Sequence, residues 1–389
     1  MKLLVNTTAL APPLAGIGHY SAQLLQQLLN ATELTDIKGI SLSGTQLLSC
    51  SQLEQVLNSV AQPTQVTAAR PLQRLARNVP MARSLRRMLV KHSMKMRTKQ
   101  LHDYIYWEPN CLRLPLENPS AVTVYDLSHI AHPEFHPEQR VRTLDKGLPA
   151  SLEKASKIIT ISEFSRQEIL AEFGVPADKI SLVPPAVAEQ FRYKPTVAQL
   201  QAIKQRYQLP ERYILSVGTL EPRKNILRLI EAFSALTSEV RRAYPLVMVG
   251  ARGWCLEGYD NVIGRLESRG ELIRTGYIPQ TDIPLLYKNA TLLAYISLYE
   301  GFGMPIAEAM AAGVPVLCSN TTSMPGVAAG AAVLVNPWDI DAIKAGLLNL
   351  INDEKLRQHC CQTGLREAAD YTWKNSGEKL ISTLNSVVD

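Results

Sequence analysis

Nine apolar runs rich in β-branched residues punctuate the chain: KLLVNTTAL (2–10), AVTVYDL (121–127), KIITIS (157–162), ISLVPPAV (180–187), YILSVGTL (213–220), YPLVMVG (244–250), ELIRTGYI (271–278), ATLLAYIS (290–297) and GVPVLCS (313–319). Their apolar residues are largely consecutive rather than alternating, which predicts strands covered on both faces. Interspersed with them are stretches whose apolar residues recur every three or four positions, at 18–30, 165–174, 225–236, 282–290, 305–313 and 339–353. That period predicts helices with one buried face, several of them stopping at Gly or Asn. Strand followed by helix, repeated, predicts an α/β protein built on parallel sheets.

Length divides this pattern in two. A chain of 389 residues exceeds the roughly 250–300 at which a single core stops growing. The polar stretch AEQFRYKPTVAQLQAIKQRYQLP, with Pro195 and Pro210, falls between the fourth and fifth strand runs and reads as a boundary. The expected organisation is a first domain over 1–190, a linker over 191–210, a second domain over 211–370, and a tail at 371–389. The tail YTWKNSGEKLISTLNSVVD is amphipathic with no strand to follow, and is expected to cross back onto the first domain.

Composition narrows the class. Hydrophobic residues at 46% and charged residues at 20% place the chain among ordinary globular proteins. Six cysteines without CxxC spacing fit reduced thiols better than zinc or a disulfide framework. The N-terminal apolar segment is too short for a signal peptide and no stretch approaches the roughly 18 apolar residues of a membrane span, so a cytoplasmic protein is expected.

The formal charge of +6 is concentrated. No acid lies between Glu54 and Asp103, whereas Arg70, Arg74, Arg77, Arg83, Arg86, Arg87, Lys91, Lys95, Arg97 and Lys99 crowd residues 70–99, interleaved with leucines and methionines. Two readings fit these basic amphipathic helices: contact with an anionic membrane surface or lipid-linked phosphates, at the inner face of the cell membrane, or a solvated face over the core. Nucleic acid is not expected, because no aromatic stacking set accompanies the bases.

Candidate chemistry collects where strands run into helices. Gly16 and Gly18 stand at the first helix start, Gly218 follows the YILSV strand with Arg223 and Lys224 before the next helix, and EGFGMPIAE (300–308) forms a third such turn. Helix N-termini carry unpaired N–H groups, and glycine admits a phosphate to the backbone. Open parallel sheets bind ligands beyond the carboxyl ends of their strands, so two facing sheets would create a cleft suited to a diphosphate. Glu308 lies in an otherwise small and apolar helix, where a buried carboxylate needs partners; vicinal hydroxyls of a ribose would serve. Glu300 can do the same for another polyol.

The segment from Ser216 to Pro337, through VGTLEPRKN and GYIPQTDIPLLYKNATLLAYISLYEGFGMPIAEAMAAGVPVLCSN, resembles the nucleotide-sugar-binding half of retaining glycosyltransferases of family 4. Their fold is GT-B, two Rossmann-like domains whose parallel sheets face an interdomain cleft. The first half matches more loosely, through AGIGHY, WEPN, VYDLSHIAHPEFHP and ITISEFS. The nearest flavour is that of bacterial mannosyl- and rhamnosyltransferases of O-antigen or exopolysaccharide synthesis, which often use GDP-sugars.

The resemblance implies roles. Lys224 would hold the donor diphosphate with Arg223 beside it, Glu308 the nucleotide ribose and Glu300 the donor sugar. Backbone groups at Gly218, Thr219, Gly303, Met304 and Pro305 would face phosphate and sugar, although Pro305 has no N–H to give. Gly16 and Gly18 would approach the transferred sugar, and Tyr277 and Ile278 would receive the base. Asp126 is a candidate for orienting the acceptor; His19, Tyr125 and His129 are further acceptor-side candidates. Three positions depart from the family: Thr219 where many members have Arg, Tyr125 where His often precedes Asp126, and Gly326 where many have Glu.

The expected activity is metal-independent hexosyl transfer with retention, mannose or rhamnose type, to a saccharide or lipid-linked saccharide. No cofactor and no metal are expected; the loosely spaced His129, His132 and His136 suit loop or acceptor contacts better than a metal. A nucleotide-sugar epimerase of the same fold and a non-catalytic sugar- or nucleotide-binding protein are the competing classes.

Overall fold

The computed structural model describes residues 1–11, 14, 16–41, 47–61, 94, 96, 98–251 and 260–387, the side chains of 60 and 61 aside. The basic stretch at 70–99 therefore lies almost entirely outside the described residues. Thirteen strands appear among those described. The first sheet contains β1 (Lys2–Asn6), β2 (Asp36–Ile40), β3 (Leu47–Leu48), β4 (Ile105–Glu108), β5 (Ser120–Thr123), β6 (Lys157–Thr160) and β7 (Ile180–Leu182) in the order β3-β2-β1-β4-β5-β6-β7. The second contains β8 (Ile214–Val217), β9 (Leu246–Val249), β10 (Leu272–Gly276), β11 (Leu292–Tyr295), β12 (Val316–Ser319) and β13 (Ala332–Val335) in the order β10-β9-β8-β11-β12-β13.

Every pairing is parallel except β2 with the two-residue β3 at one edge. Strands β4, β5, β9, β11 and β12 are buried at every position, as consecutive apolar residues demand when helices cover both faces. All nine runs recognised by their hydropathy contain a strand. In each sheet the strand order reverses direction beside the first strand of that half, between β1 and β4 and between β8 and β11. Loops leaving the carboxyl ends of those strands diverge there and open a crevice.

The stretch between the sheets is not extended throughout. Val197–Tyr207 is helical, started by a capping box in which Thr196 and Gln199 bond each other's backbone, and stopped by Gln208 at φ 52°. The helix Trp373–Asn385 belongs in sequence to the second half but packs along the helix Gly16–Leu29 of the first. Gly377 makes this close contact possible, since a Cβ there would stand 2.7 Å from Gln27 Cβ. Ser376 Oγ donates to the Pro184 carbonyl (2.7 Å) and Val187 N to the Tyr371 carbonyl (3.0 Å), so the return crossing is pinned at its start. Among the described residues no helix is long and apolar enough to cross a membrane.

Candidate functional site

Two loops leave the reversal point of the second sheet and bind each other. The loop after β8 runs through Gly218 and a turn at Pro222–Lys224 to Asn225, which adopts φ 56° and is buried. The loop after β11 carries residues 296–303. Asn225 Nδ2 donates to the Ile296 carbonyl (3.1 Å) and Leu298 N to the Arg223 carbonyl (2.8 Å). That lacing brings Arg223 and Lys224 against Glu300, 76 residues further along.

Glu300 is the centre of an ion-pair cluster. Its Oε1 accepts from Lys224 Nζ (2.7 Å) and Tyr295 OH (2.6 Å), and its Oε2 from Arg223 Nη1 (2.6 Å). Arg223 Nη2 also pairs with Glu221 (2.8 Å). Burial disfavours the Glu300 charge, but Lys224 and Arg223 overcome it and hold the carboxyl at about 2. Burial draws the Lys224 ammonium below its ordinary value against the opposing pull of Glu300. An ammonium has three donors, and Glu300 and Tyr295 OH, which lies 2.6 Å from Nζ, take two of them. Gly218, at φ 145°, presses against the Lys224 stem, where a Cβ would lie 3.4 Å from Cε.

The helix Met304–Ala312 begins directly after this cluster. Gly303 at φ 97° turns the chain into it and Pro305 occupies its first turn, a position where a missing N–H costs nothing. Glu308, half-buried on that helix, accepts from Tyr287 OH (2.9 Å). Burial pushes its carboxyl up to about 7, against the Tyr287 hydrogen bond and the Lys224 charge. At the carboxyl end of β10, Tyr277 exposes 74% of its surface while Ile278 is buried.

The first domain meets the EGFG turn through the segment that follows β5. Asp126 Oδ1 accepts from Ser128 N (2.9 Å) and Ser128 Oγ (2.6 Å). Gly301 of the second domain abuts it, where a Cβ would stand 2.9 Å from Asp126 Cβ and 2.7 Å from the Tyr125 carbonyl. Asp126 and the EGFG turn are therefore in direct contact across the domain boundary. The Tyr125 hydroxyl is engaged within the first domain: it donates to the Pro109 carbonyl (2.7 Å), and the ring packs edge-on against Tyr20. His129 is buried, with Nε2 lacking a hydrogen-bond partner among the described residues, and burial lowers its pKa. His132 pairs with Glu134 and His136 with Ser128, while His129 Nε2 only approaches Asp145, at 4.0 Å. Gly16 has open space where a Cβ would stand, whereas at Gly18 it would meet the Ala9 carbonyl at 2.7 Å; Gly18 answers to its own loop. His19 is exposed on the same helix.

A family model described as glycosyl transferases group 1 matches residues 200–366, and one for glycosyltransferase family 4 matches residues 50–191. The chain is 37% identical over 388 residues to the Escherichia coli "O-antigen chain mannosyltransferase B", covering 98% of this chain and 99% of that protein.

The chain belongs to the family 4 glycosyltransferases.

Solved structures agree on the fold. A Rickettsia africae glycosyltransferase superposes with a TM-score of 0.69 at 16% identity, covering 100% of this chain and 98% of that one. Anabaena HepE in complex with UDP gives 0.71 at 16%, covering 99% and 100%. Both show the GT-B arrangement of two facing α/β domains.

Within this glycosyltransferase the structure gathers Lys224, Arg223 and Glu300 into one contact group with Gly218 against it, and packs Asp126 against Gly301. Sequence reasoning left out several polar residues that touch this group. Tyr295 bridges Lys224 and Glu300; Tyr287 holds Glu308; Tyr299 and Glu168 join the two domains. A tyrosine inside an apolar run reads as core, and only its hydroxyl partner, many residues away, marks it as more. Glu108 was also missed. Fully buried at the reversal point of the first sheet, it accepts from Asn6 Nδ2 at 2.8 and 3.0 Å and from Tyr106 OH, and burial pushes it up to about 7. The adjacent Pro109 and Asn110 in WEPN were the available signal for a turn following a strand.

Proposed function

We propose that this glycosyltransferase moves mannose with retention from GDP-mannose to a saccharide acceptor, free or lipid-linked, in O-antigen synthesis. The observation that carries the reading is the Lys224–Glu300–Arg223 cluster at the mouth of a helix N-terminus, facing Asp126 across the domain boundary. The name of the Escherichia coli relative supports the sugar and the pathway.

In this reading the donor diphosphate takes the remaining Lys224 donor and the N–H groups that open the helix Met304–Ala312. Charge growing on the departing phosphate is met by fixed donors inside a desolvated cleft. The bond between the anomeric carbon and phosphate oxygen breaks, and the acceptor oxygen bonds the same face of that carbon. The acceptor proton passes to the departing phosphate oxygen, so no protein base is required. Asp126 orients the acceptor, and Glu308 accepts from both ribose hydroxyls. In this reading Lys224 and Arg223 supply the positive charge for the departing diphosphate, and transfer proceeds without a metal.

A panel of GDP-, UDP-, ADP- and dTDP-sugars, scored for acceptor-dependent release of nucleoside diphosphate and for anomeric configuration by NMR, tests this. GDP-mannose consumption with an α-linked product supports it. Preference for another sugar overturns the donor assignment, and donor conversion without acceptor overturns transfer. Peripheral attachment through residues 70–99 is proposed alongside; a high-salt wash that leaves the protein on membranes contradicts purely electrostatic holding.

A further inference from the structure

Tyr299 stands immediately before Glu300, and its two ends serve different domains. Its backbone carbonyl accepts from Arg223 Nη1 (2.9 Å), inside the donor cluster. Its side chain leaves the second domain altogether. The hydroxyl donates to Glu168 Oε2 (2.5 Å), on the helix Glu163–Phe173, and accepts from Leu127 N (3.2 Å), the residue after Asp126. The ring is buried edge-on against Phe164 and His132, with centroids 5.8 and 5.5 Å away. Two residues on, the Gly301 carbonyl accepts from Ser162 Oγ (2.6 Å). The loop that carries Glu300 is thus clasped from both sides, by Arg223 of its own domain and by Leu127, Ser162 and Glu168 of the other.

We propose that Tyr299 is a positioning residue that makes the placement of Glu300 and Arg223 depend on the first domain being seated, through its hydroxyl contacts to Glu168 and Leu127. The same hydroxyl holds the backbone next to Asp126, so donor and acceptor walls are set by one side chain. Closing the cleft and assembling the donor cluster become a single event, which lets binding energy from the acceptor side order the donor side. Nucleotide, held by the second domain, does not need this contact to bind. Transfer does, because it requires Glu300, Arg223 and Asp126 in register. The inference rests on reading the cleft as the donor site.

Tyr299→Phe keeps the ring among Phe164 and His132 and removes only the hydroxyl. The test measures GDP affinity by calorimetry, and kcat and KM for mannosyl transfer, normalised to GDP-binding sites. The expected result is a GDP Kd within about two-fold of the unaltered protein and a kcat lower by about ten-fold, the effect of one lost buried hydrogen bond. Glu168→Gln is expected to lower kcat as well, and the double variant to be no slower than the slower single variant, since both changes cut one shared bond. A purely structural loss would scale with the fraction folded and leave kcat per binding site untouched. Unchanged kcat in Tyr299→Phe, an equal loss in GDP affinity, or additive effects in the double variant overturn the proposal. Failure of the unaltered protein to bind any nucleotide would instead remove the donor-site reading, and this inference with it.

Discussion

Replacing Glu308 by Gln isolates the charge of one carboxylate while preserving its shape and an acceptor for Tyr287. Burial holds this carboxyl at about 7, against an ordinary value of 4.5. That difference is worth about 3 kcal/mol against ionisation. A neutral acid has one acceptor oxygen fewer to give without conflict than a carboxylate, so two donating ribose hydroxyls require the ionised form. The ionised fraction climbs from about one tenth near pH 6 to about nine tenths near pH 8, and the apparent Kd for GDP-mannose is therefore expected to tighten about ten-fold over that span. A nucleotide-sugar has no proton of its own to lose there, which makes it a better probe than GDP. Calorimetry across this range, in two buffers of different ionisation enthalpy, should also register proton release on binding near pH 6. The Glu308→Gln variant is expected to show a flat profile, and weaker binding near pH 8 by about ten-fold or more, from loss of hydrogen bonds to a charged acceptor. The same sloping profile in the variant would refute the ribose role. Stability carries the opposite sign: the native state keeps this proton to a higher pH than the unfolded chain. Glu308 therefore costs stability as pH rises from about 4.5 through about 7, and the variant loses that dependence.

Further outcomes follow from packing and pairing. Glu271 is wholly buried and held by Arg241 Nε at 2.8 Å, with Arg242 only within 3.7 Å. Arg241→Ala leaves that acid nearly unpaired, and urea unfolding is expected to show a loss of about 3 kcal/mol or more. Gly250 has φ 150°, and a Cβ there would fall 2.0 Å from the Gly218 carbonyl. Gly250→Ala must push the donor loop aside; a stability loss of at least about 1–3 kcal/mol, read by thermal melting, should accompany weaker GDP binding. An alanine variant with unaltered melting and binding would contradict the close approach.

Much of this architecture was legible because parallel strands buried on both faces spell themselves as uninterrupted apolar runs. Two of the strands that escaped lack that spelling, and two carry it only over three or four residues. β2 is broken by Asp36 and Lys38 and β3 has two residues, whereas β4 (IYWE) and β13 (AVLV) are apolar but short. Charged positions and short runs weaken the hydropathy signal without removing the backbone ladder. The helix inside 191–210 escaped because its face is mostly polar, and Thr196 with Gln199 was its local mark. At the site, Lys224, Glu300 and Glu308 could be named from motif and chemistry, since an acid in a small apolar helix asks for a partner. Their supporting hydroxyls could not. Tyr299 meets Glu168 across 131 residues and Tyr287 meets Glu308 across 21, and no local period encodes such meetings. Tyr125 shows the reverse case: the sequence offered its hydroxyl to the acceptor side, and the fold turned it toward Pro109.

Electrostatic stabilisation of the departing diphosphate by Lys224 is the step on which the account turns. Lys224→Ala should leave the fold intact, because Arg223 and Tyr295 still satisfy Glu300. The decisive measurement is the rate of acceptor-dependent GDP release from GDP-mannose, in protein whose melting curve matches the unaltered chain. The account expects a fall of roughly 10²-fold or more, the effect of removing one preorganised donor. Turnover equal to that of the unaltered protein would contradict it.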